Sequence, residues 1–190
     1  MSLVPAFDIG VWNAWLLIIW LIIPFSLVPL NIIPKDREKG SDFTAEFNKM
    51  EKSALISAHI VYLLSIIYSI FVPLKLGTAW FYAGLTIYLL GLFAYAMVLV
   101  GFATTPTDKL ITTGIYRYSR NPMRLSHFPI FVGVGIATAS WIFLLISVVY
   151  VLMPLLWVKA EERHLLKFYG DAYREYMDRT PRWIGIPRSG

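Results

Sequence analysis

The chain contains no cysteine, so disulfides, thiolate metal sites and cysteine nucleophiles are all excluded and the fold rests on packing alone. Charge is nearly as scarce. Only 15% of the 190 residues are Asp, Glu, Lys or Arg, and 57% are hydrophobic, against about a quarter charged in ordinary soluble domains. With a mean hydropathy of +0.62, this composition predicts a membrane protein and excludes a soluble domain. No basic residue precedes the first apolar run. "MSLVPAFDIG" therefore lacks the positive n-region of a signal peptide, and the run after it is too long for an h-region and has no clear A-x-A-like exit. It is read as a retained span. There is no G-x-G-x-x-G after a strand, no Walker loop, no H-E-x-x-H and no G-x-S-x-G, so soluble dehydrogenase, kinase and hydrolase readings lose support. No metal site, nucleic-acid partner, internal repeat or second domain is expected. Residues 1–190 are read as one membrane domain.

Each crossing of a bilayer needs about 20 apolar residues in a helix, because backbone polar groups cannot face lipid unpaired. Residues 11–30 meet that, with Pro24 and Pro29 as kinks, and residues 54–74 and 79–101 follow, separated only by "KLGT". The next apolar run, Met123 to Val158, would be about 54 Å long as one helix, against a hydrocarbon core of about 30 Å. It must fold back, and the small residues of "GVGIATAS" (133–140) allow a close turn near Thr138–Trp141. Spans at 122–138 and 141–158 bring the count to five, so the expected fold class is all-α, a polytopic membrane helix bundle. Five spans place 16 of the 17 basic residues on one side, Lys75 being the exception. The positive-inside rule makes that side cytoplasmic and the N-terminus external.

Two segments carry amphipathic patterns. Residues 35–53, with Phe43, Phe47 and Met50 at roughly helical spacing, read either as a short interfacial helix or as a solvated loop. After the last span, Leu165, Leu166, Tyr169, Tyr173, Tyr176 and Met177 recur at helical spacing, which predicts a cytoplasmic amphipathic helix, broken at Gly170 and stopped before Pro181. That helix either anchors on the membrane surface or closes a pocket against residues 102–124.

Chemistry concentrates in "GIYRYSRNPMRLSHFP" (114–129). Asn121-Pro122 reads as the N-cap and first residue of span 4, which leaves free backbone N–H groups and the positive end of the helix dipole at the cytoplasmic surface. Arg117, Arg120 and Arg124 add charge suited to a carboxylate or phosphate. Arg117 and Arg124 are equally served by headgroup anchoring, whereas Arg120 immediately precedes the cap. Where the last span ends, Glu161 and Glu162 stand side by side, either as surface partners of nearby basic residues or as the negative half of a site. A positive clamp facing carboxylates suits a ligand bearing both a carboxylate and an ammonium group, as an amino-acid headgroup does. His127, about a turn and a half into span 4, is a pocket-lining candidate, and His59 a weaker one; Glu161, Glu162 and His127 are the candidates to accept a proton from an amine acceptor.

"LITTGIYRYSRNPMRLS", then a hairpin, then "EERHLLKFYGDAYREYMDRTPRWIG" resembles the isoprenylcysteine carboxyl methyltransferase and phospholipid methyltransferase group of integral membrane enzymes, in a small five-span prokaryotic form. The resemblance covers about residues 101–185, and spans 1 and 2 carry no motif. It implies S-adenosylmethionine as cofactor, contacted by Lys109, Leu110, Ile111, Gly114, Tyr116, Asn121, Pro122, Met123 and Arg124, with His127 nearby. Glu161 and Glu162 would close the site from the other side, and Arg120 would orient a carboxylate of cofactor or acceptor. Two positions depart from the pattern: Asn121 replaces a histidine common in eukaryotic members, and Arg124 stands where tyrosine is usual. Both bear on the acceptor, expected to be a lipidic or prenylated molecule that reaches the site through the bilayer. The competing expectations are an NADPH-dependent membrane reductase of the sterol-reductase-like type and a non-enzymatic scaffold or transporter.

Overall fold

A computed structural model describes residues 8–19, 44, 46–106 and 109–187. Among them all regular structure is helical: α1 (Trp15–Ile18), α2 (Lys49–Ile70), α3 (Ala79–Thr104), α4 (Pro122–Ala137), α5 (Trp141–Leu152), α6 (Val158–Tyr169) and α7 (Asp171–Arg179), with 3-10 turns at Gly114–Arg117 and Met153–Leu156. An isolated bridge joins Asn13 and Pro73. Residues 20–30 of the first expected span and 35–43 of the expected interfacial segment lie outside the described residues.

Helices α2 and α3 are each long and apolar enough to cross a membrane, and a third crossing arises if residues 141–156 and α6, bent by 44° at their junction, form one span. The hairpin turn falls where chain length required it, at Thr138–Ser140, with Ser140 capping α5 by accepting from the Phe143 N–H at 3.2 Å. Its arms, 16 and 12 residues, are about 24 and 18 Å long. α2 starts at Lys49, five residues before the apolar run. Asn48 and Glu51 form a reciprocal capping box, each side chain bonded to the other's backbone N–H at 2.8 Å, which offsets the orphan donors of the first turn. Phe47 therefore turns inward against Trp157 and Ala160, while Met50 is exposed.

The bundle is inside out relative to a soluble protein. Ile56, Leu63, Leu64, Leu90 and Phe93 are exposed, whereas Ser65, Ser69, Tyr88 and Tyr95 are buried. The buried serines return their hydroxyls to carbonyls of the preceding turn at 2.6 Å, so neither hydroxyl is left unpaired. α3 and α4 meet along Gly84, Gly91 and Gly133, where a Cβ at any of the three would lie within 2.8 Å of the opposing helix. Their seam, with Ile130, Phe131, Val134 and Phe143, forms the core.

Sequence-distant segments gather at two ends. At one, Ala14 N–H donates to Val72 O, Leu74 N–H to Trp12 O and Lys75 N–H to Ala137 O, which joins the N-terminal segment, the α2–α3 turn and the hairpin turn. The start of α2, the end of α3, the start of α4 and all of α6 and α7 lie at the other end, where Arg163 reaches Glu51 (3.0 Å) and Lys167 reaches Glu46 (2.7 Å).

Candidate active site

The motif 118–124 is held by the segment after α7, which lies along it. Arg120 N–H donates to Pro181 O (3.0 Å) and Gly185 N–H to Tyr118 O (3.1 Å); Asn121 Nδ2 donates to Arg182 O (3.0 Å). Tyr176, on α7, donates its hydroxyl to Tyr116 O at 2.7 Å and lies 3.3 Å from Ser119 O. Burial pushes the phenols of Tyr173 and Tyr176 above the usual tyrosine range, so both remain protonated donors at neutral pH.

Asn121 occupies the cap position before Pro122, but its side chain makes no capping bond. Its amide oxygen accepts from Arg124 and its amide nitrogen is committed to Arg182 O. The charged guanidinium outcompetes the helix N–H groups for that oxygen, since a charge-assisted bond is roughly twice as strong as a neutral one. The first turn of α4 is thus left without a side-chain cap where it faces a cavity.

The adjacent carboxylates of α6 part to serve two arginines. Glu161 pairs with Arg124 and accepts from Trp157 Nε1 at 3.2 Å. Glu162, with its side chain 9% exposed, lies 3.3 Å from Arg120 and is gripped by Arg182, whose Nε is 3.0 Å from both oxygens. Arg120 is equally buried, yet its Nε and Nη1 have no hydrogen-bond partner among the described residues. An unsatisfied buried donor costs about 1–3 kcal/mol, more when charged, so two on one guanidinium make Arg120 a candidate anion-binding group.

Arg120 stands in a partition between two cavities. The inner one, about 400 Å³, is lined by Arg120, Asn121, Pro122, Met123, Arg124 and His127, with His59 of α2 and Tyr150 of α5 opposite. The outer one, about 220 Å³, is lined by Lys109, Leu110, Ile111, Tyr116 and Arg120 from one side and by Leu165, Tyr169, Tyr173 and Tyr176 from α6 and α7. Phe102, Tyr116 and Arg120 line both. Beyond Lys109, Leu110, Tyr169 and Tyr176 the outer cavity continues into an open groove flanked by Arg117 and Arg179. His127 Nδ1 is 2.6 Å from Met123 O; because a carbonyl only accepts, Nδ1 carries the hydrogen.

The sequence-selected residues therefore assemble, with distinctions. Lys109, Leu110, Ile111, Tyr116, Arg120 to Arg124 and His127 line cavities, whereas Glu161 and Glu162 line none of the three and reach the site through Arg124 and Arg120. Gly114 lines none either; its φ of +61° turns the chain into the 3-10 segment. Arg182, Phe102 and Tyr150 were not selected. Phe102 and Tyr150 lie within apolar runs and give no signal, and Arg182 has no spacing relation to Glu162.

The family model for phospholipid methyltransferase matches residues 74–172, from the α2–α3 turn to the first residues of α7. The match covers just over half of the chain, which belongs to this family and is accordingly a methyltransferase. Together with its lipid-suited exposed helices, membership makes it an integral membrane protein. No curated protein matches the chain.

Proposed function

We propose that the chain is an S-adenosylmethionine-dependent methyltransferase acting on a lipidic acceptor, with five spans, an external N-terminus, and its active site and C-terminal helices in the cytoplasm. The observation that carries this reading is Arg120: a buried guanidinium with two unpartnered donors, in the wall between a cavity inside the bundle and one facing the basic end. The residues present fit the cofactor. Nε–H and Nη1–H face different edges of the Arg120 guanidinium, and an amino-acid carboxylate would satisfy one of them in a charge-assisted bond. The aromatic rings of Tyr116, Tyr169 and Tyr173 supply apolar surface for a nucleoside in the outer cavity. When bound, S-adenosylmethionine supplies a methyl group already activated by its sulfonium.

The task left to the protein is to align the acceptor and exclude water. Phe102 and Tyr116 close the partition around Arg120. Glu161 holds Arg124 at the mouth of the inner cavity, where Asn121 to Arg124 and His127 face the acceptor. A carboxylate acceptor needs no base there; an amine would first lose a proton, and His127, whose Nδ1 hydrogen is held by Met123 O, has Nε2 to receive it. The inner cavity reaches His59 on α2, Val151 on α5 and Pro154 just after it, which supports lateral arrival of a lipid between helices. Glu161→Ala should free Arg124 and lower turnover about tenfold, measured as initial rates at saturating cofactor.

Calorimetric titration of the purified protein with S-adenosylhomocysteine and, separately, with NADPH tests the proposal. S-adenosylhomocysteine is expected to bind and NADPH not to. Binding of NADPH alone would replace this reading with the reductase.

A further inference from the structure

Glu162 sits between two guanidiniums that hold it unequally. Arg182 contacts it three times, Nε with each oxygen at 3.0 Å and Nη2 with Oε2 at 2.6 Å, while Arg120 contacts it once, Nη2 to Oε1 at 3.3 Å. The Arg182 backbone is anchored without help from its side chain: Pro181 O and Arg182 O accept from Arg120 N–H and Asn121 Nδ2, both at 3.0 Å. That bidentate grip holds the Arg182 guanidinium pKa above its ordinary value.

A buried carboxylate must be fully paired, and a planar guanidinium fork is its best partner. With Arg182 present, that partner comes from the C-terminal segment and one carboxylate faces two cations. Without it, Glu162 has one cation left within reach, and a small rotation would bring both oxygens onto one edge of Arg120, Nη2 together with either Nε or Nη1. A donor meant for the ligand would then be spent inside the protein.

We propose that Arg182 is a positioning residue that retains Glu162 and so keeps Arg120 Nε and Nη1 open for the carboxylate of the bound cofactor. The inference rests on the reading above, in which Arg120 receives that carboxylate. It makes the segment after α7 part of the site, although the segment touches neither cavity through Arg182.

The test is calorimetry on the full chain with two probes, S-adenosylhomocysteine and 5′-methylthioadenosine, which lacks the amino-acid carboxylate. Arg182→Ala is expected to weaken S-adenosylhomocysteine about tenfold, the equivalent of losing one charge-assisted contact, while methylthioadenosine stays within about twofold. Adding Glu162→Gln to Arg182→Ala should restore most of the loss, because a neutral amide has no charge with which to capture Arg120. Unchanged S-adenosylhomocysteine affinity in Arg182→Ala overturns the inference, as does equal weakening of both probes with no rescue by Glu162→Gln, the signature of a purely structural role. If instead wild type fails to bind S-adenosylhomocysteine, or Arg120→Ala binds it as wild type does, the underlying assignment of Arg120 has failed. Loss in Arg120→Ala with none in Arg182→Ala sinks only the role of Arg182.

Discussion

Replacing Arg120 with alanine is expected to lower turnover and cofactor affinity by about tenfold or more, as loss of a charge-assisted contact should, while the melting temperature stays near that of wild type. The asymmetry follows from the pairing. Glu162 keeps its three contacts to Arg182 when Arg120 is truncated, so no carboxylate is stranded. The bond from residue 120 to Pro181 O is a backbone bond and survives. Of the three nitrogens removed, Nε and Nη1 have no hydrogen-bond partner among the described residues and Nη2 makes one 3.3 Å contact to Glu162, so the fold loses little with them. Arg120→Lys should recover little, because an ammonium is a point charge on a flexible stem and lacks the fixed donor directions of a guanidinium. Initial rates, titration with S-adenosylhomocysteine and a thermal melt of the same preparations check the three parts, and wild-type activity in Arg120→Ala would assign the site to other residues.

Gly84→Ala should have the opposite signature, a loss of stability of about 3 kcal/mol from overpacking, with activity failing as the fold does. A Cβ on residue 84 would lie 2.3 Å from Ala137 N, 2.5 Å from Gly133 O and 2.7 Å from Ala137 Cα. All three are backbone atoms and cannot swing aside, so α3 and α4 must move apart. In lipid, helices associate through such close packing rather than through expulsion of water. Gly133→Ala meets Tyr88 N at 2.5 Å and Gly84 O at 2.7 Å from the facing side. Because both changes open the same seam, the double variant should cost less than the sum of the singles. Gly101→Ala is the control, since its nearest neighbours are side-chain atoms at 3.3 Å or more. Denaturation in detergent at fixed lipid content, followed by loss of helical signal, measures all four.

The outline of the bundle was legible because its causes are local. An apolar run too long for one crossing had to turn, and it turns at Thr138–Ser140; Gly170, at φ +57°, divides the amphipathic C-terminal pattern into α6 and α7. Motif spacing likewise located Arg120, Asn121 and Arg124 at the start of α4. Asn121 shows where such reading stops. Its cap position follows from the proline after it, but its side chain serves the Arg124 guanidinium and the backbone carbonyl of Arg182 instead of the helix, and the second of these partners lies 61 residues away.

By itself, the sequence determined that this chain is an α-helical membrane protein with its cations and carboxylates collected at one end, because hydropathy, helix length and turn chemistry act over a few residues. Only the tertiary structure decided which carboxylate each arginine holds. Glu161 went to Arg124 and Glu162 to Arg120 and Arg182, since pairing among buried charges depends on distances set by packing across α4, α6 and the segment after α7. That same packing left Arg120 with two donors unspent between two cavities.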